Sequence, residues 1–296
     1  MNTTGLKFKT IAVATDLSET ASSALRYAQA VARQEAGTLV VIHVIDPVGY
    51  AFPEGAPAFI DANQAAREEL QRIEEETRRH GIPIHSVIET GMVYERILQA
   101  IKDYRVDLLV LGTKAKTEAG RAALGTVVRQ LLGKAPCPIL AVPPDADSSL
   151  ACAGSWRNVL AAVDFSAASI SALLCAHQMA HKQLTALHVA RCRSEHECSR
   201  CMERLRLLAP FNEFRTVPVE HIVKSGDANE LIADYARIAH ADLLVLGAPG
   251  KVLSDEDFSS STVLQVISKV TCPVLCVPAG REAARSEFIR EVAFAG

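Results

Sequence analysis

Two stretches of this sequence decide the fold: Val106-Asp107-Leu108-Leu109-Val110-Leu111-Gly112 and Ala241-Asp242-Leu243-Leu244-Val245-Leu246-Gly247. Both are short apolar runs that end in glycine, and they lie 135 residues apart. A second pair lies at the same offset, Pro136-Cys137-Pro138-Ile139-Leu140-Ala141-Val142-Pro143 and Thr271-Cys272-Pro273-Val274-Leu275-Cys276-Val277-Pro278. A constant offset in separate stretches indicates an internal repeat.

The repeat extends toward the amino terminus with a larger offset. Ile11-Ala12-Val13-Ala14-Thr15-Asp16-Leu17-Ser18 matches Val159-Leu160-Ala161-Ala162-Val163-Asp164-Phe165-Ser166. The first copy therefore carries extra residues, and the segment around 46–58, rich in proline and glycine, predicts a loop there. We expect domain 1 over residues 1–146, a linker over 147–156, domain 2 over 157–280 and a tail over 281–296.

Periodicity in the first copy predicts strands that alternate with helices. Short apolar strands joined by helices indicate right-handed βαβ units, so each copy is predicted to be an α/β, Rossmann-like domain with a five-stranded parallel sheet and helices on both faces. We expect strands near 8–15, 38–45, 83–89, 107–111 and 139–142, and helices from the Ser18 cap to about 35, over 61–79, from Gly91 to about 104 and from about Thr126.

Composition narrows the class of protein. The chain is 49% hydrophobic and 22% charged, which suits a packed core, and its net charge of −3 lacks the basic field that nucleic acid requires. No stretch is apolar and long enough to span a membrane. Eight cysteines without a secretion signal indicate reduced thiols and a cytoplasmic protein.

The ends of the strands place the candidate site. In a doubly wound sheet, ligands bind beyond the carboxyl ends of the strands where the strand order reverses. Asp16 ends strand one and Gly112 ends strand four, so both are expected to line one crevice. Gly125 and Thr126 open helix four after a loop, and free backbone N–H groups at a helix start bind phosphate.

With these residues in place, the sequence resembles the universal stress protein family, and its tandem arrangement resembles the two-domain members. The family's nucleotide-binding forms carry glycine, two residues, glycine, nine residues, glycine, then serine or threonine. The matching positions are Gly112, Ala115, Gly125 and Thr126 in copy one, and Gly247, Gly250, Ser260 and Ser261 in copy two.

The resemblance implies that ATP, with magnesium, or a related adenine nucleotide is the ligand. Asp16 and Asp164 would face the nucleoside, Val44 and Val189 would meet the adenine, and the glycine loop would hold the phosphates. The predicted site residues are Thr15, Asp16, Val44, Gly112, Lys114, Ala115, Gly125, Thr126 and Val127 in copy one, and Asp164, Val189, Gly247, Gly250, Ser260 and Ser261 in copy two.

Each copy departs from the family pattern at one glycine. Ala115 adds a Cβ in copy one, and Ser260 replaces the glycine of closest approach in copy two. The loops also differ in charge, because copy one carries Lys114, Lys116 and Arg121 whereas copy two carries Lys251 with Asp255, Glu256 and Asp257. Acidic residues repel phosphates, so we expect copy one to be the better nucleotide site.

Simpler structural roles compete with these assignments. Asp16 and Asp164 could cap the helices that follow them, and the glycines could be turn residues. His43 and His188 recur at one position of strand two and predict hydrogen-bonded, partly buried histidines. His177 and His181 have the spacing of one helical turn, but without a third ligand they indicate a surface pair.

Cys192, His196, Cys198 and Cys201 form a cluster that copy one lacks. The Cys198-x-x-Cys201 spacing suits a metal or a thiol switch, although incidental cysteines on a helix explain it as well. The sequence lacks GxxxxGK[ST], GxGxxG, GxSxG and HExxH motifs, so we expect no enzyme.

The sequence thus predicts a cytoplasmic stress-response protein that binds an adenine nucleotide as a regulatory ligand, preferentially in domain 1. Two alternatives stay open: a scaffold that acts through protein partners or another small ligand, and a metal- or redox-responsive module at Cys192–Cys201. The resemblance suggests that the two copies pack as a pseudo-dimer through their strand-five edges, which would otherwise need cover, and a further homodimer is compatible with it.

Overall fold

A computed structural model of the protein describes residues 7–47, 55–113, 124–147, 156–190, 194–209, 217–248 and 261–279. Its internal contacts divide the chain into two compact units, Met1–Gly154 and Ser155–Gly296. The exact first and last residues predicted for the two domains remain a prediction. Within the described ranges, no helix combines the length and the apolar character needed to cross a membrane.

The first unit alternates strands and helices as predicted. Its sheet is parallel throughout, with the order β3-β2-β1-β4-β5, so the strand order reverses between β1 and β4. Right-handed crossovers then put α1 and α2 on one face and α3 and α4 on the other. The elements are β1 Thr10–Ala14, α1 Ser22–Gln34, β2 Thr38–Ile45, α2 Gly55–Arg79, β3 Ile84–Thr90, α3 Val93–Asp103, β4 Leu108–Gly112, α4 Thr126–Leu132 and β5 Ile139–Val142.

The second unit repeats this plan. Its parallel sheet has the order β8-β7-β6-β9-β10, and the reversal falls between β6 and β9. The elements are β6 Trp156–Ala162, α5 Ala167–Met179, β7 Ala180–Ala190, α6 Glu195–Leu208, β8 Val219–Ser225, α7 Ala228–Ile238, β9 Leu243–Ala248, α8 Thr262–Lys269 and β10 Val274–Pro278.

The core of each unit lies on the central strands. β1, β4 and β5 in the first unit are continuous apolar runs, and Ile11, Leu109 and Ala141 are fully buried. Such runs are typical of parallel strands that helices cover on both faces. The order of elements and the parallel α/β architecture predicted from the sequence are therefore confirmed.

Several predicted boundaries were wrong. Helix α2 begins at Gly55 rather than near residue 61. Pro57 lies in its first turn, where a helix tolerates proline because the backbone N–H groups of that turn have no partner within the helix. Trp156, placed at the end of the linker, begins β6 and is buried. Met179 ends α5, so His181 lies on β7 and the helical spacing with His177 does not exist.

The start of the first helix also differs between the units. In the first unit a 3₁₀ turn over Glu19–Ala21 precedes α1, and Ser18 makes no side-chain capping hydrogen bond. In the second unit α5 begins at Ala167, and the Ser166 hydroxyl accepts a hydrogen bond from the Ser169 N–H at 3.2 Å. The helix that follows strand one therefore begins later in the first unit, which changes the space beside β4.

Candidate functional site

The turn after β1 is held by its own side chains. The Thr15 hydroxyl accepts the Leu17 N–H at 3.0 Å, and the Asp16 carboxylate accepts the Ser18 N–H at 3.0 Å. Leu17 has a φ of 60°, a left-handed conformation that costs a non-glycine residue about 1–2 kcal/mol. Asp16 is exposed at the carboxyl edge of the sheet, so its free carboxylate oxygen lies where a ligand could reach it.

The second unit builds the same turn. The Asp164 carboxylate accepts the Ser166 N–H at 2.9 Å, and Phe165 has a φ of 64°. Burial alone would raise the pKa of Asp164, but hydrogen bonds from Ser166 and Ser169 outweigh it and hold the pKa below its ordinary value. Neither aspartate is a helix cap, since the cap of α5 is Ser166 and that of α1 is Ala21, so the capping interpretation was wrong.

The repeated histidines lock this turn to the second strand of each unit. The Nδ1 of His43 lies 2.9 Å from the Thr15 carbonyl oxygen, and the Nδ1 of His188 lies 2.6 Å from the Val163 carbonyl oxygen. A carbonyl oxygen only accepts, so Nδ1 carries the proton in both rings. The structural role predicted for both histidines is confirmed.

The glycine that ends the fourth strand has a different environment in each unit. A Cβ built on Gly112 would have its nearest described neighbour, the Thr20 carbonyl oxygen, at 3.9 Å. A Cβ built on Gly247 would lie 2.4 Å from the Ser169 nitrogen and 2.5 Å from the Ala168 carbonyl carbon. The first turn of α5 therefore packs directly on β9, whereas the described residues around Gly112 leave room for a Cβ.

The loop after β4 returns to the strand that it leaves. Thr113 is buried, its N–H donates to the Val142 carbonyl oxygen at 2.9 Å, and its own carbonyl accepts the Gly125 N–H at 3.0 Å. Gly125 is therefore brought to the end of β4, beside Gly112. Thr126 and Val127 follow on the first turn of α4, with Thr126 exposed.

Part of the predicted set lies outside the described residues, namely Lys114, Ala115, Gly250 and Ser260. The structure brings together Thr15 and Asp16 at β1 with Gly112, Gly125 and Thr126 at β4, on either side of the strand reversal. Val44 and Val189 lie half-buried near the ends of β2 and β7. Ser261 is the cap residue before α8, and its buried hydroxyl has no hydrogen-bond partner among the described residues.

An aromatic cluster in the second unit was missed by the sequence analysis. The Phe165 ring lies 4.3 Å from the His188 ring, and the Arg204 guanidinium from α6 lies 4.3 Å from the Phe165 ring centroid. A guanidinium over an aromatic face is an attractive contact. No local motif signals this cluster, because Arg204 lies 39 residues from Phe165 in the sequence.

Two aspartates outside the crevice are structural, and the sequence analysis did not identify them. The Asp107 carboxylate accepts the N–H groups of Lys9 and Thr10 at 3.0 and 3.1 Å. The Asp242 carboxylate accepts those of Arg157 and Asn158 at 2.7 and 3.1 Å. These carboxylates join the first and fourth strands at the amino edge of each sheet, opposite the crevice. Because both aspartates recur at the 135-residue offset, the sequence repeat could have identified them.

The cysteine cluster lies on and before α6. Cys198 and Cys201 are half-buried free thiols on this helix, His196 is exposed, and Cys192 lies outside the described residues. Among the residues that the structure describes, no three histidine, cysteine, aspartate or glutamate side chains gather as a metal site would require. The metal and redox assignment remains a hypothesis from spacing alone.

Comparison with known proteins gives one consistent family. Residues 7–143 and 155–278 each match the sequence profile of the Universal stress protein family. A universal stress protein of Thermus aquaticus is 33% identical over 139 residues, which is 46% of this chain and 98% of that protein. One of Mycolicibacterium smegmatis is 24% identical over 290 residues, covering 90% of this chain and 96% of that protein.

A solved structure has the same fold over almost the whole chain. The crystal structure of a universal stress protein from Archaeoglobus fulgidus covers 92% of this chain and 97% of its own, with 18% sequence identity and a TM-score of 0.72. The solved structure therefore shares the fold across both units.

Proposed function

The chain belongs to the universal stress protein family, and from this premise we propose that it binds ATP or a related adenine nucleotide in the crevice of its first unit. The nucleotide acts as a regulatory ligand of a cytoplasmic stress-response protein. Asp16 meets the nucleoside, the backbone near Val44 meets the adenine, and Gly112, Gly125 and Thr126 hold the phosphates, with magnesium.

The observation that carries this proposal is the looser packing beside Gly112. A Cβ built on Gly112 would make only van der Waals contact with its nearest described neighbour, the Thr20 carbonyl oxygen at 3.9 Å, whereas a Cβ on Gly247 would lie 2.4 Å from backbone. Among the described residues, the chain therefore leaves more room at the end of β4 than at the corresponding glycine of β9. Gly125 lies next to Gly112 through its hydrogen bond with Thr113, and α4 begins at the following residue, Thr126. Glycine and free N–H groups together suit an anion.

The second unit supports the preference for the first. The first turn of α5 fills the space beside Gly247, and the Arg204 guanidinium covers Phe165 at the end of β6. A nucleotide would have to displace packed backbone there, which costs more than moving a flexible side chain. We therefore propose one nucleotide for each chain rather than two.

The ligand is proposed to be bound rather than turned over. Backbone N–H groups, glycine and the Thr126 hydroxyl fix phosphates, but none of them is a general base for attack by water. In the cell the nucleotide would then bias the protein toward one state or partner. The pseudo-dimer through the strand-five edges, which the family resemblance suggests, and a further homodimer are separate proposals.

The test measures the nucleotide that purified protein retains and the thermal shift that ATP with magnesium produces. Because a ligand held only by the folded state raises Tm, we expect a saturable rise and about one adenine nucleotide per chain. Gly125→Asp places a carboxylate among the phosphates and should abolish both signals. Ser260→Asp changes the matching position of the second copy and is the control that should leave them intact.

A scaffold function without nucleotide is the second candidate. The substitutions Ala115 and Ser260 favour it, because each puts a side chain where the family's nucleotide-binding pattern has glycine. Restoring glycine with Ala115→Gly discriminates between the two. If the wild type shows no thermal shift with millimolar ATP and magnesium, and Ala115→Gly gains one, the present chain is the scaffold.

A further inference from the structure

The carboxyl end of β3 carries two side chains that the second unit replaces. Met92 and Arg96 follow Gly91, the glycine directly after β3, and the residues at the 135-residue offset are Asp227 and Leu231. Met92 and Asp227 are the cap residues of α3 and α7, and Arg96 and Leu231 lie in the first turns of these helices. A repeat that keeps its fold while exchanging these two residues points to a role that only one unit needs.

Met92 is a poor choice for the stability of α3. The equivalent Asp227 caps α7, and its carboxylate accepts the N–H groups of Asn229 and Glu230 at 3.0 and 3.2 Å. Met92 stands at the same cap position, makes no side-chain hydrogen bond and leaves 55% of its surface exposed. Aspartate and asparagine are among the preferred residues at this position, so methionine forfeits stability that the second unit obtains.

Arg96 lies against the backbone of the same turn. Its Nε is 2.7 Å from the position that a Cβ on Gly91 would take, and Gly91 has a φ of 141°. Arg96 is exposed and makes no ion pair with another described residue. Gly91 thus allows the guanidinium to lie directly over the end of β3.

This pair lies beside the proposed base site. The Gly91 N–H donates to the Ile45 carbonyl oxygen at 3.1 Å, which fixes the turn next to the end of β2. β2 is flanked by β1 and β3, and neighbouring strands lie about 4.8 Å apart. A base over the end of β2 would therefore have the Asp16 turn on one side and the Met92–Arg96 turn on the other.

We propose that Met92 and Arg96 form the outer wall of the base-binding part of this crevice and hold a purine ring by its faces. A thioether makes favourable contacts with aromatic rings, and a guanidinium stacks on them. The Asp227–Leu231 pair of the second unit has neither group, and its carboxylate is engaged in the cap of α7. This inference rests on the proposed nucleotide function and adds the residues that select the base.

The test compares the affinities of ATP and of inorganic tripolyphosphate by titration calorimetry. Met92→Asn keeps the charge and supplies a helix cap, and Arg96→Leu introduces the residue of the second unit. We expect each variant to weaken ATP binding about 3- to 10-fold while tripolyphosphate changes less than about 2-fold. Met92→Asn should also raise the Tm of the ligand-free protein by about 2 °C, since it adds a cap.

Arg33→Leu is the matched control, because it removes the same charge from an exposed site in the last turn of α1, near the opposite edge of the sheet. It should leave both affinities unchanged. If the wild type binds ATP and both crevice variants bind it equally well, the base wall is overturned while the nucleotide function stands. If the wild type binds no ATP, the proposed function and this inference fall together.

Discussion

At the scale of single residues, the two units differ most at the glycine that ends the fourth strand. Gly247 is enclosed by the backbone of Ala168 and Ser169, whereas a Cβ on Gly112 would make only van der Waals contact with the described residues. A glycine in the same sequence context is therefore a packing requirement in the second unit but not among the described residues of the first, where we propose that it meets the ligand. The sequence motif alone does not separate these roles, because it records spacing and not the position of the neighbouring helix.

This difference predicts unequal costs for the same substitution. Gly247→Ala forces its methyl group against backbone and should destabilise the protein by about 1–3 kcal/mol, as overpacking does. Gly112→Ala meets only ordinary van der Waals contacts and should stay within about 0.5 kcal/mol of the wild type. Calorimetric unfolding measures the loss of stability in each variant. Equal losses would contradict the looser packing around Gly112.

A second residue-scale prediction concerns the thiols. Burial raises the pKa of Cys276 to about 12, and burial with the nearby Asp242 carboxylate raises that of Cys272 to about 11. Only the thiolate reacts, so at pH 8 roughly 0.01% of Cys276 and roughly 0.1% of Cys272 are reactive.

Alkylation of native protein, followed by mass spectrometry, should therefore label Cys198 and Cys201 well before Cys272 and Cys276. Denatured protein provides the control, since all four thiols should then react at similar rates. Native labelling of Cys276 at the rate of Cys198 would show that β10 is not buried as described.

At the scale of elements, a carboxylate joins α2 to β3. The Glu74 carboxylate accepts the Ser86 N–H at 2.9 Å, and it also bonds the Ser86 hydroxyl and the Arg78 guanidinium. Burial alone would raise the pKa of Glu74, but these hydrogen bonds outweigh it, so the pKa lies below its ordinary value of 4.5. A pKa lowered by folding means that the ionised form stabilises the folded state.

This contribution should be present above pH 4.5 and be lost as the pH falls through the lower pKa of the folded state. Glu74→Gln should reduce the free energy of unfolding by about 1 kcal/mol at pH 7, and the deficit should shrink toward pH 3. Urea unfolding at both pH values measures this. Glu75→Gln, its exposed neighbour, is the control, and a deficit that does not depend on pH would rule out the role of the charge.

The elements also show what the sequence could predict. The observed β2 and β5 have the predicted limits, because apolar runs bounded by turn residues identify buried parallel strands. The start of α2 was missed since proline and glycine near residue 55 indicate a loop equally well. Contacts between distant elements, such as Arg204 with Phe165, depend on how helices pack and leave no local pattern.

At the scale of the whole molecule, duplication has produced two units with one plan and different crevices. Residues that occupy equivalent positions in the two units stabilise the fold. Asp107 and Asp242 bind the start of the first strand of their own unit, and His43 and His188 bind the turn after it. Two of the differences lie at the carboxyl edges, since Met92 and Arg96 align with Asp227 and Leu231. These differences are the reason why we propose one nucleotide per chain, in the first unit.

Photolabelling with 8-azido-ATP and magnesium, followed by peptide mapping, tests most directly whether the first unit binds the one nucleotide of each chain. We expect one labelled region per chain, within residues 38–47 or 84–96 of the first unit, and protection of that region by excess ATP. Label on the second unit, or label on the first unit that ATP does not prevent, would contradict it.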